Sequence, residues 1–112
     1  MKSKLIVKFW LNRSKKNTNR EHPIYLRVRY NKEFFIKSTG IYTKPGNWDS
    51  KAMKYKGSGN EAYLMNNQLE TIKMNVFRIF NQLSILGKEF NVNKIKKSLE
   101  GNDINQISLM RV

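Results

Sequence analysis

The 112-residue chain has no cysteine, one histidine, two prolines and only eight acidic residues. Each shortage removes a class of chemistry. Without cysteine there is no disulfide framework and no thiolate metal site. His22 has no second histidine, cysteine or acid at metal-ligand spacing and reads as a loop residue, so no metal is expected. The scattered carboxylates form no acid/base pair, and Ser3, Ser14, Ser38, Ser50 and Ser58 lack a base to activate them. Gly57-Ser58-Gly59 is too short to cradle a phosphate and reads as a flexible connection. No catalytic centre, no cofactor and no small-molecule substrate are therefore expected. No apolar run approaches the ~18 residues of a membrane-crossing helix, so no membrane contact is expected. The opening MKSKLIVKFWLN lacks the small-residue cleavage site of a secretory signal, and Lys8 breaks its apolar run.

What is abundant is positive charge. Twenty-two Lys+Arg against eight Asp+Glu leave a formal net charge of +14. The excess is uneven: residues 1–59 hold fifteen bases and three acids, residues 60–112 seven bases and five acids. An AT-rich gene would enrich Lys and Asn throughout, but does not explain the shortage of acids relative to bases. A positive field of this size attracts phosphate backbones and releases their counterions. At 39% hydrophobic and 12% aromatic residues the chain has enough apolar surface to fold, and its length suits one domain.

Residues 4–12 alternate with period two. Leu5, Val7, Phe9 and Leu11 share one face, and Lys4, Ile6, Lys8 and Trp10 the other. Residues 13–22 are polar, basic and aperiodic, and read as a loop. Pro23 opens a second strand, with Ile24, Leu26, Val28 and Tyr30 on one face and Tyr25, Arg27 and Arg29 on the other. Asn31-Lys32 reads as a two-residue hairpin turn into a third strand, Glu33–Thr39. A two-residue turn pairs Val28 with Phe35 and sets Phe34 and Ile36 beside Arg29 and Arg27. A three-residue loop would send Phe34 and Ile36 to the core, and the apolar run Phe34-Phe35-Ile36 does not decide between them; the two-residue turn is preferred.

Residues 40–60 read as irregular, with Trp48 as a core plug and Asn60 as a helix cap. From about 60 to 86, Ala62, Met65, Leu69, Ile72, Val76, Ile79, Leu83 and Leu86 recur at steps of three and four, widened by Tyr63, Phe77, Phe80 and Ile85. This is a long helix on the inner face of the sheet, ended by Gly87. It is longer than a short sheet can cover, so the distal turns with Ile79, Phe80, Leu83 and Leu86 need another partner. A short second helix is expected over Val92–Glu100, capped by Asn91 or Asn93 and stopped by Gly101. Residues 102–112 begin a further apolar pattern at Ile104, Ile107, Leu109, Met110 and Val112.

The fold class is thus α+β: a three-stranded antiparallel sheet packed against one long helix, plus a short C-terminal helix. The face away from the core gathers Lys8, Trp10, Tyr25, Arg27, Arg29, Phe34 and Ile36, a surface of cations and aromatics. A thin sheet of this kind fits the major groove of duplex DNA. Arginine suits guanine O6/N7, aromatics can pack on sugars or thymine methyls, and the expected groove contacts are Arg27, Arg29, Lys8 and Tyr25. Arg13, Lys15, Lys16 and Arg20 in the basic loop, with Lys32 at the hairpin tip, are expected at phosphates. The alternative for this face is a solvated surface with cross-strand arginine–aromatic packing. Two other functions remain open: an assembly module working through the long heptad-like helix, or a basic RNA-binding domain.

The order of these features resembles the N-terminal arm-type DNA-binding domain of tyrosine recombinases, the integrases of conjugative transposons and related mobile elements. The resemblance rests on the first strand (residues 4–12), the basic loop and Pro23-Ile24-Tyr25-Leu26-Arg27-Val28. It continues through Ser38-Thr39-Gly40-Ile41, Pro45 with Trp48-Asp49, the long helix, and the stretch from Phe90 to Gly101. The Asn31-Lys32 turn departs from the usual Asn-Gly or Asp-Gly. The resemblance implies binding to arm-type repeats flanking a crossover site, and a cytoplasmic, nucleoid-associated bacterial protein. It implies residues 1–86 as the DNA-binding domain, and 87–112 as a short helix and linker toward an absent core-binding domain. It further implies contacts through the long helix to other domains or protomers of the integrase. The catalytic constellation and tyrosine nucleophile of such recombinases have no counterpart here, so the chain looks like the N-terminal piece of a longer enzyme.

Overall fold

The computed structural model describes the backbone of residues 4–87 and 89–111, and the side chains of that range as far as Gly101. The expected apolar pattern at Ile104, Ile107, Leu109, Met110 and Val112 lies outside the residues whose side chains are described. Strands β1 (Leu5–Leu11), β2 (His22–Tyr30) and β3 (Glu33–Thr43) form an antiparallel sheet in the order β1-β2-β3. The alternation of the sequence decides its faces. Val7, Phe9, Leu11, Ile24, Leu26, Val28 and Phe35 are buried on the inner side. Full burial of residues such as Ile24, Leu26 and Val28 contributes about 1.5–3 kcal/mol each.

The preferred hairpin register holds. Tyr30 pairs with Glu33, Val28 with Phe35, Arg27 with Ile36 and Arg29 with Phe34. Asn31 adopts φ 62°, which an Asn tolerates better than most residues and which a tight two-residue turn demands. The third strand is longer than its period suggests. Between Pro23 and Tyr25 the register shifts, leaving residues 39–41 opposite Ile24 alone. Gly40 supplies φ 80° at this bulge. The Thr39 hydroxyl donates to the Ile24 carbonyl at 2.7 Å and accepts the Ile41 N–H at 3.1 Å, replacing ladder bonds that the bulge breaks. His22, expected in the loop, is the first residue of β2 and pairs with Thr43, because β3 runs far enough to meet it.

The segment expected to be irregular contains a 3-10 turn (Pro45–Asn47) and a small hairpin, β4 (Trp48–Asp49) with β5 (Lys54–Tyr55). The Asp49 carboxylate accepts the Lys51 and Ala52 N–H groups at 3.0 Å each. The Ala52 bond foremost, helped by the Lys51 bond and nearby Lys56 and Lys54, holds its pKa below the ordinary carboxylate value against the opposing effect of burial. Trp48 is buried, as a core plug should be. Asn66 on the long helix α1 (Asn60–Ile85) receives the Tyr55 N–H at 2.8 Å, tying the hairpin to the helix like an extra strand.

Asn60 does not cap α1. Gly59 occupies that position with no side-chain bond, and Asn60 is already helical. Gly87, at φ 75°, ends the helix and donates its N–H to the Ser84 carbonyl at 3.1 Å. Helix α2 (Val92–Arg111) is capped by Asn91, whose Oδ1 accepts the Lys94 N–H at 3.0 Å. It continues through Gly101, the position expected to stop it; this Gly has an ordinary negative-φ backbone, and a lone glycine weakens a helix without ending it. Val92, Ile95 and Leu99 join the core, and with Phe90 they supply a partner within the chain for Ile79 and Phe80. Phe80 sits edge-on to both Tyr30 and Phe90, whose rings stack with centroids 5.1 Å apart. Ile85 and Leu86, at the end of α1, remain exposed.

Candidate nucleic-acid interface

The outer face of the sheet is a three-by-three array fixed by strand register. From the hairpin end, the rows are Ile6–Arg29–Phe34, Lys8–Arg27–Ile36 and Trp10–Tyr25–Ser38. All seven residues expected on the groove face lie in this array, and Arg27 is at its centre. The array lies opposite the buried face and is covered by neither helix among the described residues.

Neighbours within the array organise one another. The Arg27 guanidinium carbon lies 4.4 Å from the Phe34 ring centroid. This is the diagonal contact of a cross-strand pair, and it leaves the edge N–H groups of the guanidinium available. Trp10 and Tyr25, directly opposite, pack with centroids 5.4 Å apart at an angle of 51°.

The five residues expected at phosphates divide between two ends of the sheet. Lys32 lies at the hairpin tip, while Arg13, Lys15, Lys16 and Arg20 lie in the loop that joins β1 to β2 beside Trp10 and Tyr25. That loop is ordered by asparagines. Asn12 Oδ1 accepts the Ser14 N–H and hydroxyl, and Asn17 Oδ1 accepts the Asn19 and Glu21 N–H groups. Arg20, at φ 61°, turns the chain back toward β2. His22 Nδ1 lies 2.5 Å from the Lys15 carbonyl oxygen, a contact that requires the proton on Nδ1.

Lys15 departs from the expected arrangement. Its ammonium reaches the sheet face and donates to the Tyr25 hydroxyl at 2.8 Å. The 5.4 Å between Nζ and the Tyr25 ring centroid follows from that bond and is not a separate stacking contact. The hydrogen bond to Tyr25 raises the Lys15 pKa above its ordinary 10.5, and the group is an ammonium at neutral pH. Tyr25→Phe is expected to bring the Lys15 pKa back toward 10.5 with the sheet intact, as followed by NMR titration of the lysine amine. An unchanged titration would mean that the hydroxyl does not hold Lys15.

Two residues outside the expected site join this surface. Ile6 is visible in the first strand's alternation and lies beside Arg29, 37% exposed. Tyr42, 40% exposed, lies opposite Pro23 and close enough to affect Lys15. A strand ended at Thr39 could not place it. Among the described residues, no three His, Cys, Asp or Glu side chains come together where a metal could bind. No helix among them is long and apolar enough to cross a membrane.

A family model described as an Arm DNA-binding domain matches residues 9–105. No curated protein and no solved structure matches the chain.

Proposed function

The chain belongs to the Arm DNA-binding domain family, a DNA-binding and non-catalytic module, and from that premise we propose that it reads duplex DNA with the outer face of its sheet. The sheet enters the major groove, and the chain serves as the N-terminal part of a tyrosine recombinase that recognises arm-type sites during DNA integration. The observation that carries this reading is the central strand, where Tyr25, Arg27 and Arg29 face outward in register between Lys8 and Trp10 on one side and Phe34 and Ile36 on the other. Three strands spaced about 4.8 Å apart make a blade about 10 Å across, which suits a groove about 12 Å wide. Arg27 and Arg29 contact base edges with Lys8 and Tyr25. Arg13, Lys16, Arg20 and Lys32 hold phosphates at the two ends, and Lys15 does so from its anchor on Tyr25.

Binding through about six phosphates gives log K a slope of about −5 against log salt concentration. Affinity measured for arm-repeat and scrambled duplexes over a salt series tests the proposal. A slope flatter than about −2, or equal affinity for both duplexes, would overturn it. NMR shifts confined to α1, sparing Arg27 and Arg29, would overturn the sheet-face mode.

In this proposal the DNA-reading face lies within residues 1–86, and residues 87–112, whose first helical turns complete the core, lead on toward a core-binding domain. The exposed end of α1, with Ile85 at 82% and Leu86 at 69%, docks other domains or protomers of the integrase. Ile85→Ser with Leu86→Ser is then expected to weaken assembly of the full-length recombinase on DNA while leaving the affinity of this chain within about twofold, since surface changes of this kind shift stability by about 0.5 kcal/mol or less. Unchanged assembly in a gel-shift titration of the full-length pair would remove α1 from that role.

A further inference from the structure

On the reading that the sheet enters a major groove, the array raises a narrower question. Ile6 is 37%, Ile36 46% and Phe34 53% exposed, and they flank the arginine-bearing strand from both sides. Their neighbours are Lys8, Arg27 and Arg29, so the occupant of this surface is a polyanion that also carries apolar points. In the major groove the only apolar group on a base edge is the C5 methyl of thymine. Base stacking, the other way a basic surface uses aromatics, fits poorly here. Arg27 already covers a face of Phe34 at 4.4 Å, Trp10 and Tyr25 pack on each other at 5.4 Å, and isoleucine offers no π-face. The stack of Arg27 on Phe34 also sets a group suited to guanine beside an apolar side chain.

We propose that Ile6, Phe34 and Ile36 form a thymine-methyl-reading surface around the arginines, so that the preferred duplex carries thymines beside the guanine contacted by Arg27. The specificity of the domain then lies as much in these three apolar side chains as in its cations. The same chemistry disfavours RNA, which lacks the methyl and whose major groove is too narrow for a sheet.

The test uses the 112-residue chain and a duplex recovered by it from a randomised pool. That duplex is remade with deoxyuridine in place of thymidine, one position at a time, which removes the methyl and keeps every hydrogen bond. Affinity is expected to fall about fourfold at each contacted methyl, the effect of about one buried carbon. Phe34→Ala and Ile36→Ala should each bring the thymidine/deoxyuridine ratio close to one at the positions they touch; both side chains are exposed, so the fold is not at stake. Arg27→Ala, measured on the thymidine duplex, separates methyl reading from binding through the sheet face. If deoxyuridine changes nothing while Arg27→Ala weakens binding, the methyl-reading surface is refuted and the sheet-face reading stands. If neither changes binding, both fail.

Discussion

Arg27→Ala is expected to lower affinity for the specific duplex by about 5- to 150-fold and to relax selection at one base pair. The magnitude is that of one bidentate arginine–guanine contact, about 1–3 kcal/mol. Arg27 occupies the middle of the central strand, with Lys8 and Ile36 opposite it on the two flanks. Its guanidinium is held on Phe34, which lowers the entropy lost when it docks against a base. The substitution removes no core contact, because the side chain leaves the sheet on the face opposite Leu26 and Val28. Stability should therefore change little, and a loss of binding would report on the interface alone. Arg13→Ala, in the loop, gives the contrast: binding weakened by a similar factor on every duplex, with the salt slope reduced by about one. Equal losses for Arg27→Ala on specific and scrambled DNA would show that Arg27 acts as a phosphate contact, and base reading would have to pass to Arg29.

The array itself is legible in the amino-acid sequence, because a strand's period of two separates Val7 and Phe9 from Lys8 and Trp10 without reference to anything distant. The hairpin register follows from one local feature, the two residues Asn31-Lys32 between Tyr30 and Glu33. Where the chain departs from that local regularity, periodicity stops being a guide. Gly40 and its neighbours insert residues opposite Ile24, which breaks the period and hides the last part of β3, Tyr42 included. The hairpin of β4 and β5 has two residues in each strand, too few for any period to show. Its fastening depends on Asn66, eleven residues away on α1, a distance that alternation cannot span. The cap at Gly59 is hidden because Asn60 beside it is the better side-chain cap; the backbone begins the helix one residue sooner than that preference implies. The anchoring of Lys15 on Tyr25 is likewise a long-range event, set by how the loop folds back over the sheet.

The distal half of α1 is the one element whose surroundings periodicity leaves open, and it leads to the largest expected effect on stability. Ile95→Ala should cost about 2–5 kcal/mol, a large part of the roughly 5–15 kcal/mol available to a small domain. α1 has 26 residues and spans about 39 Å, while the seven, nine and eleven residues of β1, β2 and β3 span about 23, 30 and 36 Å. The apolar stripe of α1 therefore overhangs the sheet, and Ile79, Phe80 and Leu83 would face water if α2 and Phe90 did not close over them. Ile95 is fully buried in that closure, between Val92 and Leu99 on the same helix face. Cutting it back to alanine leaves a cavity in the cluster that also holds Tyr30, Phe80 and Phe90, whose rings are already packed against one another. Because Tyr30 is a residue of β2, the damage reaches the sheet. Unfolding should stay a single transition with Tm lowered on the order of 10 °C or more, and below that temperature the outer face should bind DNA as before. Hydrogen exchange distinguishes the alternative. If the amides of α2 open in the Ile95→Ala variant while those of Ile24, Leu26 and Val28 keep their full protection, α2 is a separately melting appendage and the long helix is held by the sheet alone.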